Sequence, residues 1–317
     1  NQIPFYGGWF VYFGYEIAKE IEKKIVMPTS PYFLPDAFAA RVNTSIIYDH
    51  VKRILILTSD KNLFSQDFKD ILSDLDKSKF SHENFSSKGS VKIFSKGTSI
   101  EHQTQVKSCI DYIYQGEIFQ ANLSRLWRFK VDEELTDIDI YRKLREKNPA
   151  PFAGIVRYKK SSIISSSPER LISISGDHLQ TRPIAGTRPR GASGIVDVEL
   201  TRELINSDKE KAEHLMLVDL ERNDISKVCE PGSVKVDEMM SIETYAHVHH
   251  IVSNISGKKR KNINPGEIIK SVFPGGTITG CPKVRCMEIL AELEKEGRGP
   301  YTGSFGYVTH SGNMDIN

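Results

Sequence analysis

AGIVRY at 153–158, a break at Lys159 and Lys160, and SSIISSS at 161–167 form the stretch whose reading decides the fold. Two strand-like runs around a short polar break predict an antiparallel hairpin. Downstream, 207–221 predicts a helix opening on a Ser-x-x-Glu capping box, Ser207 and Glu210. HVHHIVSNISG (247–257) predicts a strand, and 283–295 a helix with Val284, Met287, Leu290 and Leu293 on one face. Upstream, 100–115 predicts a helix with Ser99 as N-cap, Val106, Ile110 and Ile113 on one stripe, and Gly116 as its end. A strand over 119–129 follows, with Gln120, Asn122 and Ser124 on one face. The first 60 residues, including FYGGWFVYFGYEIA and a short run at 53–57, read as sheet and short helix. Between 60 and 96 the composition turns to Ser, Lys, Asp, Asn and Phe, which predicts a surface insertion or linker carrying one helix near 65–76. Hairpins mixed with helices that do not strictly alternate argue for mixed α/β (α+β) layers rather than a doubly wound parallel sheet.

The chain has 317 residues, 39% apolar and 26% charged, with a net charge of +2. That balance describes a globular protein with a core of its own, and it gives no electrostatic reason to expect a nucleic-acid or membrane partner. The basic run Lys258, Lys259, Arg260 and Lys261 reads as a solvated loop. Cys109, Cys229, Cys281 and Cys286 form no C-x-x-C pair, so the expectation is a reduced, cytoplasmic setting without a zinc site. A single domain over 1–317 is expected, cut at both ends, because YTGSFGYVTHSGNMDIN reads as a strand, a turn and an interrupted second strand.

Several groups could carry chemistry. Glu210 and Glu213 are three apart on the predicted helix, so their carboxylates share a face. They suit either a salt-bridged surface with Lys209 and His214 or a hard-cation site that leaves its other positions to water and an anionic ligand. Three Gly-rich turns, PIAGTRPRG (183–191), FPGGTITGCPK (273–283) and YTGSFGY (301–307), bring backbone N–H groups within reach of anions, and the second leads into a helix. His247 and His249 share one face of their strand and His250 takes the other. A single histidine serving as proton carrier fits better than a metal cluster. Glu169, after Pro168 at a strand end, could be lodged in a pocket with a raised pKa, or simply pair with Arg170.

Taken in order, GEIFQANLSR (116–125), NPAPF (148–152), SSPERL (166–171), TRPIAGTRPRG (181–191), KEKAEHLMLVDLERNDI (209–225), YAHVHHIVS (245–253), FPGGTITGCPKVRCMEIL (273–290) and YTGSFGY (301–307) resemble the chorismate-binding enzymes. These comprise the large subunits of anthranilate synthase and aminodeoxychorismate (para-aminobenzoate) synthase, with the isochorismate and salicylate synthases as cousins. The resemblance implies two packed β-sheets under flanking helices, with chorismate and Mg²⁺ in the cleft. It implies Glu213 as a Mg²⁺ ligand with Glu210 beside it, His250 as the active-site histidine and Glu169 as the acid near the departing hydroxyl. Ala185, Gly186, Thr187, Thr279, Gly280, Lys283, Tyr301 and Gly303 would line the substrate turns. Gln120 stands where the water-adding cousins carry a lysine, and an amide is no base for water, so the expectation is amination by ammonia. Ala185 resembles the anthranilate branch. NPAPF, GGTITGCPKVRCM and HVHHIVS resemble the para-aminobenzoate branch, which the balance favours. A separate glutamine amidotransferase partner is implied as ammonia source.

Overall fold

The computed structural model describes residues 3–60, 66–77, 90–96 and 98–317. In chain order its strands and helices are β1 (Gly8–Phe13), α1 (Ala18–Ile21), β2 (Ala37–Val42), β3 (Thr44–Asp49), β4 (Ile54–Ser59), α2 (Gln66–Lys77), β5 (Val91–Lys96) and α3 (Ser99–Tyr114). Then come β6 (Gln120–Ala121), β7 (Trp127–Val131), α4 (Asp137–Lys147), β8 (Phe152–Tyr158), β9 (Ser161–Ser167), β10 (Arg170–Ser175), β11 (His178–Arg182), β12 (Ile184–Pro189) and α5 (Gly194–Asn206). The last third holds α6 (Asp208–Ser226), β13 (Lys235–Thr244), β14 (Val248–Lys258), α7 (Pro265–Val272), α8 (Gly276–Thr279), β15 (Gly280–Cys281), α9 (Lys283–Glu294), β16 (Ser304–Thr309) and β17 (Met314–Ile316).

One antiparallel sheet dominates, in the order β12-β14-β11-β10-β17-β16-β1-β2, with β13 also paired to β14. The 11-residue β14 organises one end: β12 and β11 follow each other along one edge and β13 runs along the other. Leu171, Ile172, Ile174, Leu179, Ile255 and Ile316 meet Val218 and Ile225 of α6 and Ile268 and Val272 of α7 in the main core. Each such side chain, fully buried, stabilises the fold by roughly 1.5–3 kcal/mol. On the opposite face the β8–β9 hairpin is the second layer. The Tyr158 and Phe38 rings meet tilted, with centroids 4.8 Å apart, and Gly154 admits the Phe305 ring, which an added Cβ would meet at 2.9 Å.

The mixed α/β class therefore holds, and the hairpin turns at Lys159, in the left-handed region at φ 54°. The 60–96 stretch contains α2, close to the expected helix, but also β5, which pairs with β7 as part of the fold. Residues 61–65 and 78–89 lie outside the described residues. The strand expected over 119–129 is two short pieces, β6 and β7. Ser207 accepts from the Glu210 amide at 3.4 Å, so half of the predicted capping box forms, while the Glu210 carboxylate turns to Arg188 instead. Val106, Ile110 and Ile113 remain 37–43% exposed, and Val284 is 40% exposed: the buried face of α9 is Cys286, Met287, Ile289 and Leu290. Among the described residues no helix is long and apolar enough to cross a membrane.

Candidate active site

Helix α6 supplies the acidic end of the site. Glu210 sits in its first turn and Glu213 one turn on, above β12. Gly186 has φ +76°, a backbone open to glycine at low cost, and an added Cβ there would meet Glu210 Oε2 at 3.2 Å. Glu210 Oε1 receives Arg188 Nη1 at 3.3 Å. Glu213 Oε1 receives Gln120 Nε2 at 2.8 Å. Gln120 is carried there by the short β6–β15 ladder, fixed by Phe119 N to Cys281 O at 2.7 Å and Asn122 N to Thr279 O at 2.9 Å. The oxygen of the same Gln120 amide, Oε1, is buried without a partner. The salt-bridged surface with Lys209 and His214 is not what forms. His214 is completely buried and shares a 2.6 Å hydrogen bond with Ser253 Oγ.

Among the described residues no third carboxylate, histidine or cysteine groups with these two glutamates. Two carboxylates with open coordination suit Mg²⁺, which keeps water and substrate oxygens as its other ligands. By its chemistry this donor set, two carboxylates one helical turn apart, is of the kind that would hold Mg²⁺.

The second end is a cavity of about 840 Å³, with Glu169, Glu221, Thr181, Thr277, Tyr301 and Gly303 among its lining residues. Glu169 Oε1 accepts from Thr277 Oγ1 at 2.9 Å and from the Ile184 amide at 3.2 Å. The alternative partner Arg170 is bound bidentately to Asp315 at 2.8 and 3.0 Å. Burial pushes the Glu169 carboxyl up to about 8, with the charge of Glu221 adding to it and the two hydrogen bonds opposing it. A carboxylic acid that keeps its proton at neutral pH is a proton donor.

His250 lies across from Thr187 in the β12–β14 register, and its Nδ1 and Thr187 Oγ1 are 2.8 Å apart. Burial holds its pKa below the usual imidazole value. His249 turns the other way and is buried between Thr244 Oγ1 and Asp197 at 2.9 Å each, a structural histidine. His247 precedes the strand. Ala185 is buried on β12, and the Thr279 hydroxyl caps the Gly275 carbonyl at 2.8 Å. Lys283 is committed to Asp224 and to the Val272 carbonyl at 3.1 Å. The expected anion site at 276–282 is partly taken from inside: the Gly276 amide donates to Glu221 Oε1 at 3.2 Å.

Sequence reading missed Glu221, Thr181, Thr277 and Arg298. For Glu221 a signal existed. Positions 210, 214, 217, 221 and 224 form one stripe of α6 that reads Glu, His, Leu, Glu, Asp, and of these His214, Leu217, Glu221 and Asp224 are 0–3% exposed. Acids on a stripe that must pack inward mark a site. Arg298, 5% exposed, binds Glu294 at 2.6 and 2.7 Å and the Asn122 carbonyl at 2.6 Å between the Tyr15 and Tyr301 rings, and so fixes the cavity wall.

Known proteins match this arrangement. A sequence profile described as chorismate binding enzyme covers residues 1–317. An anthranilate synthase component I-like protein of Synechocystis is 39% identical over 317 residues, all of this chain and 64% of that protein. Aminodeoxychorismate synthase component 1 of Bacillus subtilis is 39% identical over 320 residues, 99% of this chain and 68% of that one. The crystal structure of anthranilate synthase component I from Streptococcus pneumoniae superposes with a TM-score of 0.84 at 30% identity, covering 100% of this chain and 72% of that one. The chain thus spans about two thirds of the length of the curated relatives it matches.

Proposed function

Because the chain belongs to the chorismate-binding enzyme family, we propose that its site aminates chorismate with ammonia to give 4-amino-4-deoxychorismate, the ammonia being passed on by a glutamine amidotransferase partner. The observation that carries this reading is the Gln120 amide bonded to Glu213 at 2.8 Å. An amide has no basic nitrogen to deprotonate water, whereas ammonia handed over unprotonated by a partner is nucleophilic without a base.

In this reading Glu169 gives its proton to the 4-hydroxyl, which leaves as water as the carbon–oxygen bond breaks. Ammonia forms the new carbon–nitrogen bond, and the proton it sheds returns to the Glu169 carboxylate. Thr277 and the Ile184 amide hold that carboxyl in place through both states. Mg²⁺ on Glu210 and Glu213 would neutralise a substrate carboxylate, and His250, oriented by Thr187, would donate to the substrate from the same side.

The anthranilate branch is a second reading, favoured by Ala185, which offers no nucleophilic atom to form a covalent ring adduct. Incubating the full-length protein with chorismate, Mg²⁺ and ammonium separates the two readings. Aminated product that yields para-aminobenzoate only after a lyase is added supports the first, and direct fluorescence of anthranilate supports the second. Isochorismate or salicylate as main product would sink both.

A further inference from the structure

Two carboxyls, not one, face the cavity. Glu169 and Glu221 both line it, and the same two segments hold them: Thr181 and Ile184 on one side, Gly276 and Thr277 on the other. Thr181 Oγ1 donates to Glu221 Oε2 at 3.1 Å and the Gly276 amide to its Oε1 at 3.2 Å, and the Glu169 pair of bonds is of the same kind. All four donors are neutral. Among the described residues neither glutamate has an ion pair, because each nearby cation is bound elsewhere: Lys283 to Asp224, Arg170 to Asp315, Arg298 to Glu294.

Two such carboxyls in one low-dielectric site resist ionising together, so their protons come off as those of a pair. The surroundings decide which keeps the proton. Burial raises both. Glu221 feels the Lys283 ammonium, which favours its charged form against the opposing charge of Asp224, whereas the charged neighbour that acts on Glu169 is Glu221 itself.

We propose that Glu221 is a positioning residue for the acid: its carboxylate keeps the proton on Glu169, ready for the leaving hydroxyl, and favours its return afterwards. This assignment rests on the amination reading for its chemical purpose, but the pairing itself can be measured without turnover. In the full-length protein, infrared difference spectra over a pH series follow the protonated-acid carbonyl band, assigned to Glu169 by its loss in Glu169→Gln. Glu221→Gln should move the Glu169 titration about one pH unit toward acid, the size of effect one nearby like charge exerts. The alkaline limb of kcat should move with it. Because Glu221 ionises while Glu169 still holds its proton, Glu169→Gln should leave the Glu221 titration in place, and Glu221→Met, which fills the same space without charge, keeps the test open should Glu221→Gln not fold. A Glu169 that titrates alike with and without the Glu221 charge would overturn the pairing, as would a Glu221→Gln enzyme slowed at every pH with its alkaline limb unmoved. Coupled titrations in a protein that yields no aminated product would instead remove the function and leave the pair.

Discussion

His214 offers a quantitative test of how α6 is seated. It is 0% exposed, burial holds its imidazole down from 6.5 to about 4, and its Nδ1 has no partner. The unfolded chain therefore binds a proton on this residue at a pH where the native protein does not. Its contribution to stability is complete above about pH 6.5 and is lost as pH falls toward 4. A fall of that size implies a loss of roughly 2.5 kcal/mol by about pH 4.5. Replacing it by an apolar residue of similar length, His214→Leu, removes the bond to Ser253, which keeps the Met240 amide at 2.9 Å. That change costs about 1–2 kcal/mol near pH 7.5. Urea unfolding of both proteins across this range should thus show the wild type more stable at neutral pH and the variant more stable at about pH 4.5. Other acid-sensitive groups cancel in the difference. A wild-type-minus-variant difference that stays flat with pH would refute the reasoning.

Other outcomes follow from the same geometry. Arg298→Met strands the buried Glu294 carboxylate and should lower unfolding stability by about 3–5 kcal/mol; a variant as stable as wild type in denaturant titration would deny Arg298 its place in the wall. Gly186→Ala puts a Cβ against Glu210 and strains a left-handed residue, so stability should fall by about 1 kcal/mol. Its Mg²⁺ concentration for half-maximal activity should rise as well, and an unchanged metal dependence would separate Glu210 from the ion. Thr277→Val removes a donor that favours ionised Glu169, so the alkaline limb of kcat should move to higher pH, opposite to Glu221→Gln; a shift toward acid would contradict the hydrogen-bond assignment.

Much of this architecture can be read from residue patterns, and the exceptions have identifiable causes. The α6 helix is legible because Ser207 caps it and its inner stripe repeats at helical spacing. The hairpin at Lys159 is legible from the strand runs on either side. The break between β6 and β7 is not, since tertiary partners claim the backbone there: Asn122 bonds to the Thr279 and Arg298 groups, and the Ser124 amide goes to Glu294 at 2.7 Å. Those partners lie about 150 residues or more away. Glu169 stands out in sequence as an acid at a strand end, but its commitment to Thr277 rather than Arg170 depends on Asp315 occupying the arginine. Lys283 looks free in a Gly-rich turn until α6 brings Asp224 beside it. The three-residue spacing of Glu210 and Glu213 predicts a shared face, and only the fold shows that Gln120 and Gly186 border it.

Helix α6 carries both chemical ends of the site, with Glu210 and Glu213 near its start and Glu221 and Asp224 farther along. It therefore behaves as a ruler with fixed phase. One residue inserted between 214 and 220 would rotate one pair of acids by about 100° relative to the other and lengthen the gap by about 1.5 Å, turning either Glu210 and Glu213 or Glu221 out of the cleft. A chain built this way can vary its loops freely, but the central turns of this helix admit substitution and not a change of length.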